Sequence, residues 1–452
     1  MQALNRFAWR QALTGAFVAA LIAAAAVGLA APRSTAQEGE GSTTWLGAQS
    51  KVEAAVALSQ ETFPNGAVTI LLGRDDTFGD SVASGGAQGR LAAPLLLTDR
   101  VQLSQATFDE IERLGGRTIF VLGGTAAVSD EIVEQLQSSG YLVTRLSGAT
   151  RILTAIDIAG NVFPGATTAV LVRAFGTPEG DETQGFADSL PAGGFAAFQD
   201  IPVLLTDSAE LSPEVATYLA DNGFTEVFII GGETAVSAAV QTALEDAGIM
   251  VTRLSGANRF ATAVAVANAR GFDDASTADG VLLVEGQADG AYAPGFAAAA
   301  LSGASGTPIL LSTGDTVPVE TTAFLDPADG EAALVCAPLT TRTACDAAAE
   351  SMGNAAVDCS GVEPESTATP TATPTETETE NGGILPLPTD ILGSETETET
   401  ETEAAQEGDD GEPRPGHPCR SGGSDAPPLP LPVIPTGPPG ATETPTPTPT
   451  AT

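Results

Sequence analysis

The chain has 452 residues, 42% of them hydrophobic, and a formal net charge of -40. A surface this acidic excludes broad attraction to nucleic acid or to anionic membranes, both of which reward basic patches. The one histidine (His417) and all four cysteines lie beyond residue 335, so the earlier part of the chain lacks the pieces of a Ser-His-Asp triad or a His-ligated zinc centre.

At the N-terminus, Arg6 and Arg10 supply positive charge and Ala12 to Ala31 form a Leu/Ile/Val/Ala-rich stretch. Ser34-Thr35-Ala36 then offers small residues for cleavage before Gln37. This pattern predicts a secretory signal over residues 1–36. The alternative is a retained anchor, because the apolar run approaches spanning length. Alanine richness makes the run weakly hydrophobic and favours cleavage, with no stable membrane insertion afterwards.

The run Pro94 to Gly148 returns 108 residues later, without a gap, as Pro202 to Gly256, and a fainter copy starts at Pro308. A period of about a hundred residues exceeds that of solenoid units and matches a small domain. Three tandem units follow, at residues 45–144, 145–252 and 253–361.

The second unit shows the elements most clearly. Ile152, Ile156, Ala159 and Val162 recur at helical spacing, and Ala169 to Val172 form a short apolar run. Ala187 to Phe198 reads as a helix despite Pro191 and a glycine pair, and Pro202 to Leu205 as a strand. Ser212-Pro213-Glu214 opens the next helix with a cap, a first-turn proline and an acidic residue. Val227 to Ile230 is a buried strand ahead of Gly231-Gly232; a helix over Ala235 to Asp246 and a last strand, Ile249 to Val251, complete the unit. Continuous apolar runs alternating with helices predict a parallel sheet covered on both faces. The fold class is α/β, doubly wound, with about four strands per unit.

From residue 362 to 452 the composition turns to Thr, Pro and Glu, and seventeen acidic and two basic residues follow Ser360. Such a segment cannot offset the entropy of ordering it and is expected to remain a disordered, acidic tail.

Several motifs recur in order: R-L-S-G-A-T-R (Arg145–Arg151), R-L-S-G-A-N-R (Arg253–Arg259), G-F-A-D-S (Gly185–Ser189), P-V-L-L-T-D (Pro202–Asp207) and I-I-G-G-E-T-A-V-S (Ile229–Ser237). Together they resemble the cell wall-binding repeat type 2 family of bacterial surface proteins, over about Trp45 to Gly361. The resemblance implies three flavodoxin-like or Rossmann-like units in a pseudo-threefold arrangement. It also implies non-covalent attachment to the cell wall, with an anionic wall polymer or peptidoglycan as partner.

The copies differ. Unit one opens with W-L-G-A-Q-S-K, placing Trp45 and Lys51 where arginines are expected, but keeps Asp80. Unit three has Pro294 where the aspartate belongs, L-V-C-A-P (Leu334–Pro338) in place of the glycine pair, and closes with D-C-S-G (Asp358–Gly361). Cys336 ends one predicted strand and Cys359 follows its neighbour, which suggests a Cys336–Cys359 disulfide, with Cys336–Cys345 as second choice.

Candidate binding residues come in two sets. Gly123, Gly124, Gly231 and Gly232 lie between a strand and a helix, where free amides and a helix dipole can receive an anion; plain turn geometry explains them equally. Arg145, Arg151, Arg253 and Arg259 carry planar forks that suit carboxylate or phosphate, with Asp80 and Asp188 at another strand-to-helix crossing. These arginines either tie units together or grip acidic groups of a wall polymer. No dinucleotide or triphosphate motif occurs, so no cofactor is expected; a hydrolytic carboxylate pair is not singled out. The expected protein is an exported, non-enzymatic wall-associating protein; the alternative is a soluble envelope solute-binding or scaffold protein.

Overall fold

The computed structural model describes residues 41–176, 182–328, 330–355 and 419–420. The expected signal (1–36) and all but two residues of the tail fall outside these.

Three parallel sheets form, one per repeat. In the first, β2 (Thr69–Arg74), β3 (Leu95–Thr98), β4 (Thr118–Leu122) and β5 (Leu142–Leu146) take the order β3-β2-β4-β5. The second repeats it with β6 (Thr168–Arg173), β7 (Val203–Thr206), β8 (Glu226–Ile230) and β9 (Met250–Leu254) as β7-β6-β8-β9. Apolar runs such as Ile70, Leu71 and Leu72 are wholly buried, as strands covered on both faces must be. This order is that of flavodoxin-like sheets.

The third sheet departs from expectation. It contains β10 (Gly280–Glu285), β11 (Ile309–Ser312) and β12 (Ala333–Cys336), and its fourth parallel strand is β1 (Thr43–Trp45), from the start of the folded region. The chain near Asp358 was expected there. Trp45 stands opposite Cys336, as Arg145 stands opposite Val121 and Arg253 opposite Ile229. The indole Nε1 of Trp45 donates to Thr340 O at 2.8 Å. A two-residue strand, β13 (Cys419–Arg420), extends β1 antiparallel.

Of the two disulfide pairings offered by the sequence, the second is the one at bonding distance. Cys336 lies within bonding distance of Cys345, at 2.02 Å between sulfurs and 5.8 Å between Cα atoms. The slot beside β12 is taken by β1, and Cys345 sits on α12 (Arg342–Met352), which packs against β1. Cys359 lies outside the described residues.

The opening helices of the three units are α1 (Lys51–Thr62), α5 (Arg151–Val162) and α9 (Arg259–Ala269), each N-capped by a side chain: Ser50, Thr150 and Asn258. Three others, α2 (Ser84–Leu91), α6 (Ser189–Gln199) and α10 (Tyr292–Ser305), pack against one another at the centre. Small residues permit this approach. A Cβ on Gly85 would collide with Gly193 backbone, and one on Gly89 with Ala197 backbone. Pro191 is tolerated in α6 because it falls in the first turn, where an amide has no intrahelical partner. The remaining helices are α3 (Gln105–Leu114), α4 (Asp130–Ser138), α7 (Pro213–Asp221), α8 (Ala238–Asp246) and α11 (Val319–Leu325).

Candidate functional site

In sheets of this order, ligands usually enter the crevice beyond the strand ends, where strand order reverses. Here that crevice lies between β2 and β4 and is filled from within the chain. Asp80 reaches it, and its Oδ1 accepts from Thr154 Oγ1 at 2.8 Å, a hydroxyl carried on α5 of the next unit. Gly123, at φ +92°, borders the carboxylate so closely that a Cβ would overlap Asp80 Oδ2. Unit two repeats the device. Asp188 is hydrogen-bonded by Thr262 of α9, and a Cβ on Gly231 would meet Asp188 Oδ2 at 2.7 Å. Loss of water pushes the Asp188 carboxyl above the usual carboxylate range, against the pull of Arg173, Arg259 and the Thr262 hydroxyl.

The amides of Gly123 and Gly231 are not open donors at helix starts. Gly123 N donates to Leu146 O at 2.8 Å and Gly231 N to Leu254 O at 2.9 Å. The following helices begin only at Asp130 and Ala238. Gly124 and Gly232 have open space around them.

The arginines divide into two roles. Arg145 and Arg253 stay within the sheets that their own strands, β5 and β9, complete. Arg145 Nη1 donates to Gly123 O and Gly124 O at 2.9 and 3.1 Å, and Nη2 pairs with Asp130 at 3.0 Å. Arg253 Nη1 donates to Gly231 O at 2.9 Å and Val236 O at 2.8 Å, and Nε to Gln241 at 3.1 Å. Desolvation lowers the Arg253 pKa from its usual value, with Glu233 opposing.

Arg151 and Arg259 instead lie at the seams. Arg151 Nη1 donates to Ala174 O at 2.9 Å, and its guanidinium lies 4.9 Å from the Phe78 ring and 5.0 Å from Phe175. Arg259 Nη1 donates to Gly286 O at 2.6 Å and to Thr183 Oγ1 at 2.7 Å. Lys51, their counterpart, falls short and is extended by a phenol: Nζ donates to Tyr292 OH at 3.0 Å, which donates to Asp75 O at 2.6 Å. Asp75, Ala174 and Gly286 directly follow β2, β6 and β10, the equivalent strands of the three sheets, so all three cations serve one equivalent carbonyl.

Between them three rings meet, one from each unit. Phe78, Phe186 and Tyr292 have centroids 5.2 to 5.8 Å apart. Sequence reasoning missed this trio, although F-G-D-S, G-F-A-D-S and A-Y-A-P align to show it. Also missed were Thr154 and Thr262, and the strand-end residues Arg74, Arg173 and Glu285. The last reverses charge. Burial raises the Glu285 pKa, opposed by backbone donors Gln287, Ala288 and Gly314 and by Arg259.

The third seam has lost the polar device altogether. Pro294 replaces the aspartate, Ala54 the threonine and Pro338 the glycine. Comparison with known proteins fits this threefold repeat. The profile of the cell wall binding domain 2 family matches residues 46–133, 145–241 and 253–337, more than half of the chain. The chain belongs to the cell wall binding domain 2 family. Family relatives include the N-acetylmuramoyl-L-alanine amidase LytC of Bacillus subtilis (strain 168), 26% identical over 216 residues, 48% of this chain and 40% of that protein. The Amidase enhancer of the same organism is 27% identical over 211 residues, 47% of this chain and 27% of its own length. Among solved structures, Cwp8 from Clostridium difficile superposes with a TM-score of 0.59 at 26% identity, covering 69% of this chain and 52% of that one. This family member thus spans about half or less of each relative. Among the described residues no helix is long and apolar enough to cross a membrane.

Proposed function

We propose that this protein is exported, attaches non-covalently to the cell wall through its three repeats, and displays its acidic Thr/Pro-rich tail without catalysing a reaction. Family membership supports wall association, and the matched repeats run through nearly the whole of residues 41–355. That coverage is the observation that carries the reading. The amidase relative extends well beyond the shared region, so its named activity need not reside in the repeats. The sole histidine, His417, stands apart from all three of them.

The wall polymer would be met at the outer loops and seams of the three-unit body, with Arg151 and Arg259 the cations nearest the junctions. Arg145 and Arg253 lie away from the seams and hold the turns that carry Gly123 O and Gly231 O. Export would place Cys336 and Cys345 in an oxidising compartment, where a bridge between them persists. Co-sedimentation of the full chain with purified walls, before and after stripping their anionic polymers, tests the reading. Pelleting with untreated walls is the expected result; absence of pelleting with either preparation removes it.

A second reading, an envelope scaffold without polymer affinity, draws on the filled crevices and on the altered third seam. Free protein in the medium and none in the wall fraction would favour it.

A further inference from the structure

We propose that the groove between α5 and α7 binds a neutral hexopyranose of a wall glycan, an inference that rests on the wall-associating role. The groove is shallow and open to solvent, with a volume of about 520 Å³. Leu153 and Ile156 of α5 and the ring of Tyr218 of α7 supply its apolar surface, and Glu214, Asp221 and Asn222 its polar surface.

The groove belongs to the second unit for an identifiable reason. In the first unit the equivalent helices, α1 and α3, are bridged by polar side chains. Glu110 accepts from Ser59 Oγ at 2.5 Å and Gln60 Nε2 at 3.4 Å, and pairs with Arg113 at 2.7 Å. In the second unit Ala159 and Gly160 replace Ser59 and Gln60, while Tyr218 and Asp221 replace Glu110 and Arg113. Removing the long side chains opens the space. In the third unit the tyrosine position holds Phe324, only 3% exposed, and Asn268 stands where Gly160 would be.

The exposed chemistry suits a sugar. A pyranose presents a C–H face to apolar side chains and a rim of hydroxyl donors. Among the described residues, Glu214, Asp221 and the Tyr218 hydroxyl make no side-chain hydrogen bond or ion pair, so their lone pairs can accept such donors. No cation lines the groove. Two carboxylates would repel phosphate- or uronate-bearing chains, which selects a neutral saccharide by exclusion as well as attraction.

The test is calorimetric titration of the full chain with neutral tetrasaccharides of β-linked N-acetylglucosamine, glucose and mannose, alongside wall co-sedimentation. Binding of at least one tetramer is expected, weakened at least tenfold by Asp221→Ala. Gly160→Gln restores the side chain of the first unit and should abolish binding while keeping or raising Tm, since a Cβ there meets only Tyr218 at 4.0 Å and glycine is a poor helix former. Wall pelleting by a wild-type chain that binds no tetramer overturns the groove and leaves wall association standing. Loss of pelleting with tetramer binding retained supports the groove and overturns the wider reading. Should Gly160→Gln change the sedimentation coefficient and leave saccharide affinity intact, the groove is a contact between copies and the proposal fails.

Discussion

Thr154 Oγ1 donates to Asp80 Oδ1 at 2.8 Å across the junction of the first two units. The bond locks α5 onto the strand ends of the preceding sheet, in the place where α/β proteins commonly hold a ligand. Its three participants, counting the glycine that makes room for the carboxylate, change together in the third seam, to Ala54, Pro294 and Pro338. Removing one partner leaves a polar group unsatisfied, whereas replacing both with apolar groups can be nearly neutral. The third seam has therefore substituted packing for the polar lock.

Asp80→Ala and Thr154→Val should each destabilise the protein by roughly 1–3 kcal/mol, as expected for a hydrogen bond to a charged group. The double variant should lose little more than the worse single, because both remove one interaction. A double-mutant cycle by chemical denaturation reads the coupling. Strictly additive losses would show that the hydroxyl and carboxylate act separately.

Arg253→Ala should lower Tm, through loss of the bonds to Gly231 O, Val236 O and Gln241. A cost of about 1–3 kcal/mol follows from leaving carbonyls without a donor. Wall affinity measured well below Tm should change less than threefold. A tenfold loss of affinity at unchanged Tm would return Arg253 to the role of ligand.

The repeated units and their α/β class were legible because the apolar runs and helix caps recur at fixed spacing. The last helix of unit two starts at Ala238 where Ala235 was expected, because Gly232 to Ser237 first turn through a loop with Ala235 N and Val236 N both bonded to Gly232 O. Strand closure was not legible. T-T-W is too short to declare a strand, and nothing local ties it to Cys336, almost three hundred residues away. The arginines illustrate the same limit. Their spacing was visible, but Arg145 turning inward to a carbonyl and Arg151 crossing a seam depend on tertiary contacts that the identical motif does not distinguish.

Trp45 makes the closing strand a point of vulnerability. It is 7% exposed, bonds Thr340 and lies opposite Cys336. Trp45→Ala should destabilise by roughly 3–5 kcal/mol, the range for truncating a buried large aromatic side chain. Hydrogen exchange should show the loss first in β10 to β12, with β6 to β9 protected longer. Uniform loss of protection across all three sheets would indicate that they unfold as one cooperative body.

Tyr218 should be the last tyrosine to ionise. Burial alone pushes its phenol from 10.0 up to about 12, while Lys51 opposes the rise at Tyr292. Because the folded state holds this proton more tightly than the unfolded chain, it binds more protons between pH 10 and about 12. Stability from this group is therefore full below pH 10 and falls as pH rises through that window. Tyr218→Phe should remove the highest step in tyrosinate absorbance at about 295 nm and flatten the alkaline loss of Tm, with no effect at neutral pH on the sign of the linkage. If the highest step survives the substitution, the Tyr218 hydroxyl is hydrated more fully than the packing of its ring against Phe224, at 5.6 Å between ring centroids, implies.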